Sequence, residues 1–135
     1  MINPPIEEVE QQKLVQWLRA KKIAHVAPMN ENQSSFTDRK VTILVEAKAK
    51  SMGKQKGYPD LIIDEPNKYY HGLRIELKRA RKRLKSGKTS VSHTKVSPEQ
   101  KEWLQRLNNK GYYAVVCYGA KEAIEVIEEY MENRA

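Results

Sequence analysis

One cysteine, Cys117, is all the thiol chemistry that the 135 residues hold, so an internal disulfide and a cysteine-built zinc cluster are both excluded. Stability has to come from packing. Long hydrophobic runs are missing as well: apolar residues make up 39% of the chain, and no stretch approaches the roughly 20 residues needed to cross a bilayer. The opening MINPPIEEVEQQ has no basic segment followed by an apolar one, which gives the expectation of a soluble, cytoplasmic protein with no cleaved signal and no membrane partner. The length suits a single domain, residues 1–135, around one core. His25, His71 and His93 are too scattered for a zinc spacing and read as ordinary strand or loop residues.

A local absence says more than these global ones. Between Lys78 and Lys95 there is no acidic residue, while Lys78, Arg79, Arg81, Lys82, Arg83, Lys85, Lys88 and Lys95 are all basic. The whole net charge of +8 sits there, since the other 17 Lys and Arg balance the 17 Asp and Glu. A solvated loop could carry such a run. Clustered Lys and Arg also bind polyanions through counterion release, and that is the stronger reading: a phosphate-backbone footprint on a basic, mobile loop at about 79–96.

Pro4 and Pro5 after Asn3 open a helix over Pro5 to Lys21, with Leu14, Trp17 and Leu18 at helical spacing. Glu7, Glu10 and Gln11 fall on the same inward face, and inward carboxylates need a partner. Ile23 to Met29 reads as a short strand, and Asn30 to Ser35 as a polar loop. Thr37 to Met52 is ambiguous between strand (VTILV) and helix. The helix is preferred, because Thr37 or Asp38 can cap it, Gly53 can end it, and Val41, Leu44, Val45, Lys48 and Met52 share a face.

After the turn Gly57-Tyr58-Pro59, Leu61 to Ile63 is an apolar strand. Leu73 to Arg79 alternates apolar Leu73, Ile75 and Leu77 with polar Arg74, Glu76 and Lys78, which predicts a half-buried strand. Ser97-Pro98-Glu99-Gln100 has the form of a capping box and starts a helix with Trp103, Leu104 and Leu107 inward, ended by Gly111. Tyr112 to Tyr118 is a buried strand in which Cys117 is a packed thiol, and Lys121 to Met131 is a final amphipathic helix. No internal repeat is visible.

The residues that could do chemistry are Asp60, Glu76 and Lys78. Residues two apart on a strand point the same way, so Glu76 and Lys78 can face one point, and Asp60 reaches it if the two strands pair as an antiparallel hairpin. Two carboxylates with the carbonyl of Leu77 offer oxygen ligands suited to Mg²⁺ or Mn²⁺, and an ammonium beside them can position water. That is equipment for phosphodiester hydrolysis. Taken alone, E-x-K is more often a surface ion pair, and the chain contains a second one, Glu46-Ala47-Lys48. The second lacks the Gly-x-Pro-Asp turn, and on a helix its two charged groups would diverge by about 200°.

Gly57-Tyr58-Pro59-Asp60, Ile75-Glu76-Leu77-Lys78, Ser97-Pro98-Glu99-Gln100 with Trp103-Leu104 and Gly111-Tyr112, and Glu7-x-x-Glu10-Gln11-x-x-Leu14-Val15-x-Trp17-Leu18 together resemble the VRR-NUC domain of the PD-(D/E)XK nuclease superfamily, above all its small stand-alone phage and bacterial members. The resemblance covers nearly the whole chain. It departs from the shortest members in the longer, more basic stretch between Lys78 and Ser97. It implies an α/β fold with an αβββαβ core, a mixed sheet flanked by helices and an extra C-terminal helix. In the site it implies Asp60 and Glu76 as metal ligands, Lys78 as the catalytic lysine, Gln100 as a supporting residue, and a first-helix glutamate near the metal, for which both Glu7 and Glu10 fit.

The activity implied is that of a Mg²⁺- or Mn²⁺-dependent DNA endonuclease, selective for branched DNA and in particular four-way Holliday junctions, working as a homodimer. Arg79 to Lys95 would grip the backbone. Two alternatives stand beside it: a non-catalytic DNA-binding module that kept the fold, and a nuclease for flaps or other structures. Asn30 and Glu31 could approach DNA, and Tyr69, Tyr70 and Tyr112 could stack on bases, although plain loop and strand-edge roles fit them too.

Overall fold

The strand LRIELK is the middle of the sheet, and all six of its residues are buried. The computed structural model of the protein describes residues 6–28, 39–83, 89–90 and 95–134. Along them run α1 (Glu7–Ala20), α2 (Arg39–Ser51), β1 (Leu61–Ile63), β2 (Leu73–Lys78), β3 (Lys82–Arg83), β4 (Thr89–Ser90), α3 (Pro98–Asn109), β5 (Tyr113–Tyr118) and α4 (Ala120–Glu132). The main sheet has the order β1-β2-β5. β1 pairs antiparallel with β2, placing Leu61 opposite Ile75. β5 pairs parallel with β2 from Leu73 opposite Tyr113 to Lys78 opposite Tyr118, with α3 as the crossover that a parallel pair requires. No helix among the described residues is long and apolar enough to cross a membrane.

The alternation in β2 explains both of its faces. Leu73, Ile75 and Leu77 join Leu14 and Leu18 of α1 and Ala123, Ile127 and Tyr130 of α4 in one core. A half-buried strand is expected from that pattern, yet Arg74, Glu76 and Lys78 are buried too. Their face is covered by polar partners: Arg74 pairs with Asp64 at 3.3 Å and donates to the Tyr58 hydroxyl at 3.2 Å, and Glu76 accepts from α3. Period two shows which side chains go together. It does not show what covers the polar side.

Two elements differ from expectation. The strand over Ile23 to Met29 reduces, among the described residues, to one bridge in which Val26 and Ile62 exchange bonds of 2.9 and 2.7 Å. β1 is three residues long, and the outward peptide edge of Ile62 meets only Val26; Pro28 two residues on brings no N–H to extend the ladder. α2 is helical as expected and stops at Gly53, whose φ is +95°. Its shared apolar face, however, is not in the core: Leu44 is 69% and Met52 77% exposed. Thr37 and Asp38, its expected caps, and Asn30 and Glu31 lie outside the described residues.

Candidate functional site

Just before β1 begins, a side chain continues its ladder. Asp60 stands one residue before Leu61, and its Oδ2 accepts the Leu77 N–H at 2.8 Å. That hydrogen bond fixes the carboxylate at the end of the sheet, and the Leu77 carbonyl lies on the same edge of β2, because a strand residue presents both its peptide groups to one side. The turn that delivers Asp60 rests on the first turn of α3. At Gly57, with φ +89°, a Cβ would stand 2.7 Å from the backbone carbon of Glu99, so glycine is demanded by conformation and by space together.

α3 begins with the capping box that its sequence announces. Ser97 Oγ accepts the Gln100 N–H at 3.2 Å, and Gln100 Oε1 accepts the Ser97 N–H at 2.9 Å. With its oxygen thus engaged, the amide turns its Nε2 to donate to Glu76 Oε1 at 2.8 Å. Gln100 therefore serves its own helix and the buried carboxylate at once.

Glu76 is 1% exposed, and Lys78 Nζ lies 3.7 Å from its Oε1. Glu7, Asp60 and Glu76 bring one carboxylate oxygen each to within 4.8 Å of one another. Three elements, α1, the turn before β1 and β2, thus converge on one point. The cost of that crowding is visible in Glu76, whose carboxyl is pushed up to about 9, first by burial and then by the charge of Asp60, with Lys78 pulling the other way. Acids so placed hold a proton between them or share a cation. The donor set, all carboxylate oxygens with a backbone carbonyl at hand, fits a hard divalent ion such as Mg²⁺ or Mn²⁺.

The two inward glutamates of α1 go to different places. Glu7 enters the acidic cluster, whereas Glu10 accepts the Ala120 N–H at 2.7 Å through its Oε2, at the start of α4. Of the basic set, Arg79 is half-buried, Lys95 is exposed, and the Arg81 guanidinium lies 3.9 Å over the Tyr118 ring. Lys82 and Arg83 form β3, which pairs antiparallel with Thr89 and Ser90 of β4 just beyond the end of β2. Lys85 and Lys88 lie outside the described residues.

A cleft of about 820 Å³ opens over Asp60, Lys78 and Gln100, with Glu46, Ala49 and Lys50 of α2 on one wall and Glu99, Trp103 and Arg106 of α3 on the other. Lys54 and Lys56 also line it, and the Tyr58 and Trp103 rings meet edge to face at 5.0 Å. The lysines at 50, 54 and 56 are absent from the sequence-derived binding set. Their signal was present, an acid-free run following Glu46, but the denser run after Lys78 overshadowed it.

The remaining residues are accounted for by packing. Cys117 is buried, with its thiol pushed up to about 12 by that burial. Tyr70 stacks on Tyr113 at 5.0 Å and Arg74 lies 4.4 Å over Tyr112, while Tyr69 is exposed. His25 bonds the Ile23 carbonyl at 2.8 Å, and His71 meets Tyr112 edge to face at 5.8 Å.

In this mixed sheet the central strand brings Glu76 and Lys78 together with acids from a turn and a helix, and the family match assigns the fold to a nuclease-type module that acts on DNA. The profile of the VRR-NUC domain matches residues 6–121. A solved structure described as a VRR-NUC domain protein superimposes with a TM-score of 0.68 at 30% identity, covering 98% of this chain and 93% of that one. The chain belongs to the VRR-NUC family. Among curated proteins the comparison finds no match.

Proposed function

We propose that the protein is a divalent-metal-dependent DNA endonuclease that hydrolyses phosphodiester bonds and selects branched DNA, four-way junctions first, as a homodimer. The observation that carries the reading is the convergence of Glu7, Asp60 and Glu76 within 4.8 Å, with Lys78 at 3.7 Å and Gln100 at 2.8 Å from the same buried carboxylate. Glu7, Asp60, Glu76 and the Leu77 carbonyl would hold Mg²⁺ or Mn²⁺, which acidifies water and neutralises charge on the phosphate.

The chain's own groups supply the rest. Gln100, oriented by the Ser97 N–H, holds the Glu76 carboxylate in one rotamer. The Lys78 ammonium points into the cleft, where it can orient the attacking water and offset negative charge building on phosphorus. Asp60, tied to the Leu77 N–H, is held beside Glu76. Lys50, Lys54 and Lys56 line the cleft, and Arg81, Lys82 and Arg83 follow the end of β2, so two basic groups can receive the backbone.

Support for the homodimer comes from α2, whose exposed Val41, Leu44 and Val45, with Met52 in the turn after it, form an apolar face that no other part of the described chain covers, on the helix that also walls the cleft. A two-fold contact there would set two clefts near each other, as the symmetric strands of a junction require.

The test is incubation with Mg²⁺ or Mn²⁺ and a panel of duplex, single-stranded, flap and four-way DNA. Metal-dependent cutting, fastest on the four-way substrate, is the expected result. Binding without cutting on any substrate would establish a non-catalytic module, and fastest cutting of flaps would overturn the junction preference.

A further inference from the structure

Glu10 is a 6% exposed carboxylate that lies outside the acidic cluster, and its surroundings show what holds it. Its Oε2 accepts the Ala120 N–H at 2.7 Å, in the first turn of α4, where an anion is favoured by the free N–H groups and the helix dipole. The residue before, Gly119, donates its N–H to the Lys78 carbonyl at 2.8 Å, the bond just past the end of β5 on β2. Gly119 has φ +90°, and a Cβ there would stand 2.6 Å from Glu10 Oε2 and 3.1 Å from the Ala80 Cβ. The junction therefore fits a carboxylate against a backbone with no room for a side chain between them.

One turn earlier on α1 is Glu7, a member of the acidic cluster. The register of α1 against the sheet decides whether Glu7 meets Asp60 and Glu76, and at this end of the helix Glu10 supplies a charge-assisted bond that sets it. We infer that Glu10 is a positioning residue for the metal-binding centre: by clamping α1 to the β5–α4 junction it holds Glu7 in reach of Asp60 and Glu76 and fixes the strand end that carries Lys78. This inference rests on the proposed metal-dependent nuclease and adds a residue that supports the ligands without touching the ion.

The test compares Glu10→Ala, Glu10→Gln and Gly119→Ala with the parent chain, by calorimetric titration of Mn²⁺ into DNA-free protein, DNA affinity measured in Ca²⁺, thermal melting, and single-turnover cleavage. Glu10→Ala should weaken Mn²⁺ binding by about tenfold or more, the usual cost of losing a partner of a ligand, while DNA affinity stays within about twofold. Glu10→Gln keeps an oxygen acceptor for the Ala120 N–H and should recover most of the Mn²⁺ affinity. Gly119→Ala drives a methyl against the same carboxylate and should reproduce the Glu10→Ala defect from the other side of the contact, which keeps the inference testable if Glu10→Ala does not fold.

Unchanged Mn²⁺ affinity in folded Glu10→Ala or Gly119→Ala, with only a lower melting temperature, would overturn the inference in favour of a purely structural cap. A Gln variant as defective as Ala would overturn it in favour of direct ligation. A parent chain that takes up no Mn²⁺ would refute the metal-dependent reading itself and is distinguishable from both, because it appears before any substitution is made.

Discussion

The chain spells E-x-K twice, and the two copies end in different environments. Glu76-Leu77-Lys78 lies on β2, where its two ionisable groups share a side and stand 3.7 Å apart in the interior. Glu46-Ala47-Lys48 lies on α2, where Glu46 lines the cleft and Lys48 is exposed elsewhere on the helix. The tripeptide therefore carries no chemistry by itself. Backbone period decides whether the ends meet, and an acid delivered from another element, Asp60 for β2, decides whether the meeting point can hold an ion.

The largest break in this comparison should come from the lysines. Lys78→Ala removes the only ammonium beside Glu76 among the described residues and should cut single-turnover cleavage by roughly 10²–10³-fold, the usual cost of losing one preorganised stabiliser. Lys48→Ala should leave the rate within about twofold, as an exposed substitution away from the cleft does. Equal losses in the two variants would remove the strand copy from its assigned role.

Next in size is the dependence of stability on pH and metal. The Glu76 carboxyl stands at about 9 in the folded chain, against 4.5 for the ordinary group. Between those values the folded state holds a proton that the unfolded state has released, so without metal the stability should fall as pH rises from about 4.5 to 9. Below that window both states are protonated and the slope vanishes. Mn²⁺ should offset the loss, by about 2.7 kcal/mol at a hundred times its dissociation constant, and more visibly at pH 8 than at pH 6. Melting curves with EDTA and with Mn²⁺ measure this; a metal-free protein that gains stability toward pH 9 would contradict the crowding of the three acids.

Much of this site was legible because the signals are local. The capping box at Ser97, the strand period of β2 and the turn before Asp60 each depend on a few neighbouring residues, and each forms as its sequence indicates. What was not legible depends on partners far along the chain. Glu7 and Glu10 share a helix face, and the choice between them is made by the α4 N-terminus, 110 residues away from Glu10. Similarly, β2 reads as half-buried because α3 and the Tyr58 turn, which cover its polar side, leave no mark in the strand itself. α2 illustrates the converse: its period and its glycine stop establish a helix, and neither reveals that its apolar face stays outside the core.

The two basic groups offer a finer comparison. Neutralising Arg81, Lys82 and Arg83 should weaken DNA binding and lower the slope of log K against log salt by up to roughly 2.7, at about 0.9 for each phosphate that is no longer neutralised. Replacing Lys50, Lys54 and Lys56 tests the group beside the helical copy in the same way. If only the first triple changes the slope, the cleft wall formed by α2 does not touch backbone; if only the second does, the segment after β2 is not the footprint.

The smallest thermodynamic effect separates the two apolar helix faces. Leu14 of α1 is 1% exposed in the core, and Leu14→Ala should cost about 2–5 kcal/mol by leaving a cavity. Leu44 on α2 is 69% exposed in the single chain, so Leu44→Lys should change the stability of a monomer by no more than about 0.5 kcal/mol. In a dimer built on α2 the same substitution buries a charge at the contact. The sedimentation coefficient then drops to that of one chain, and melting loses its dependence on protein concentration. A dimer that survives Leu44→Lys and Met52→Lys together would have to be built elsewhere. α2 would then serve only as the cleft wall, and its apolar face would need a different partner.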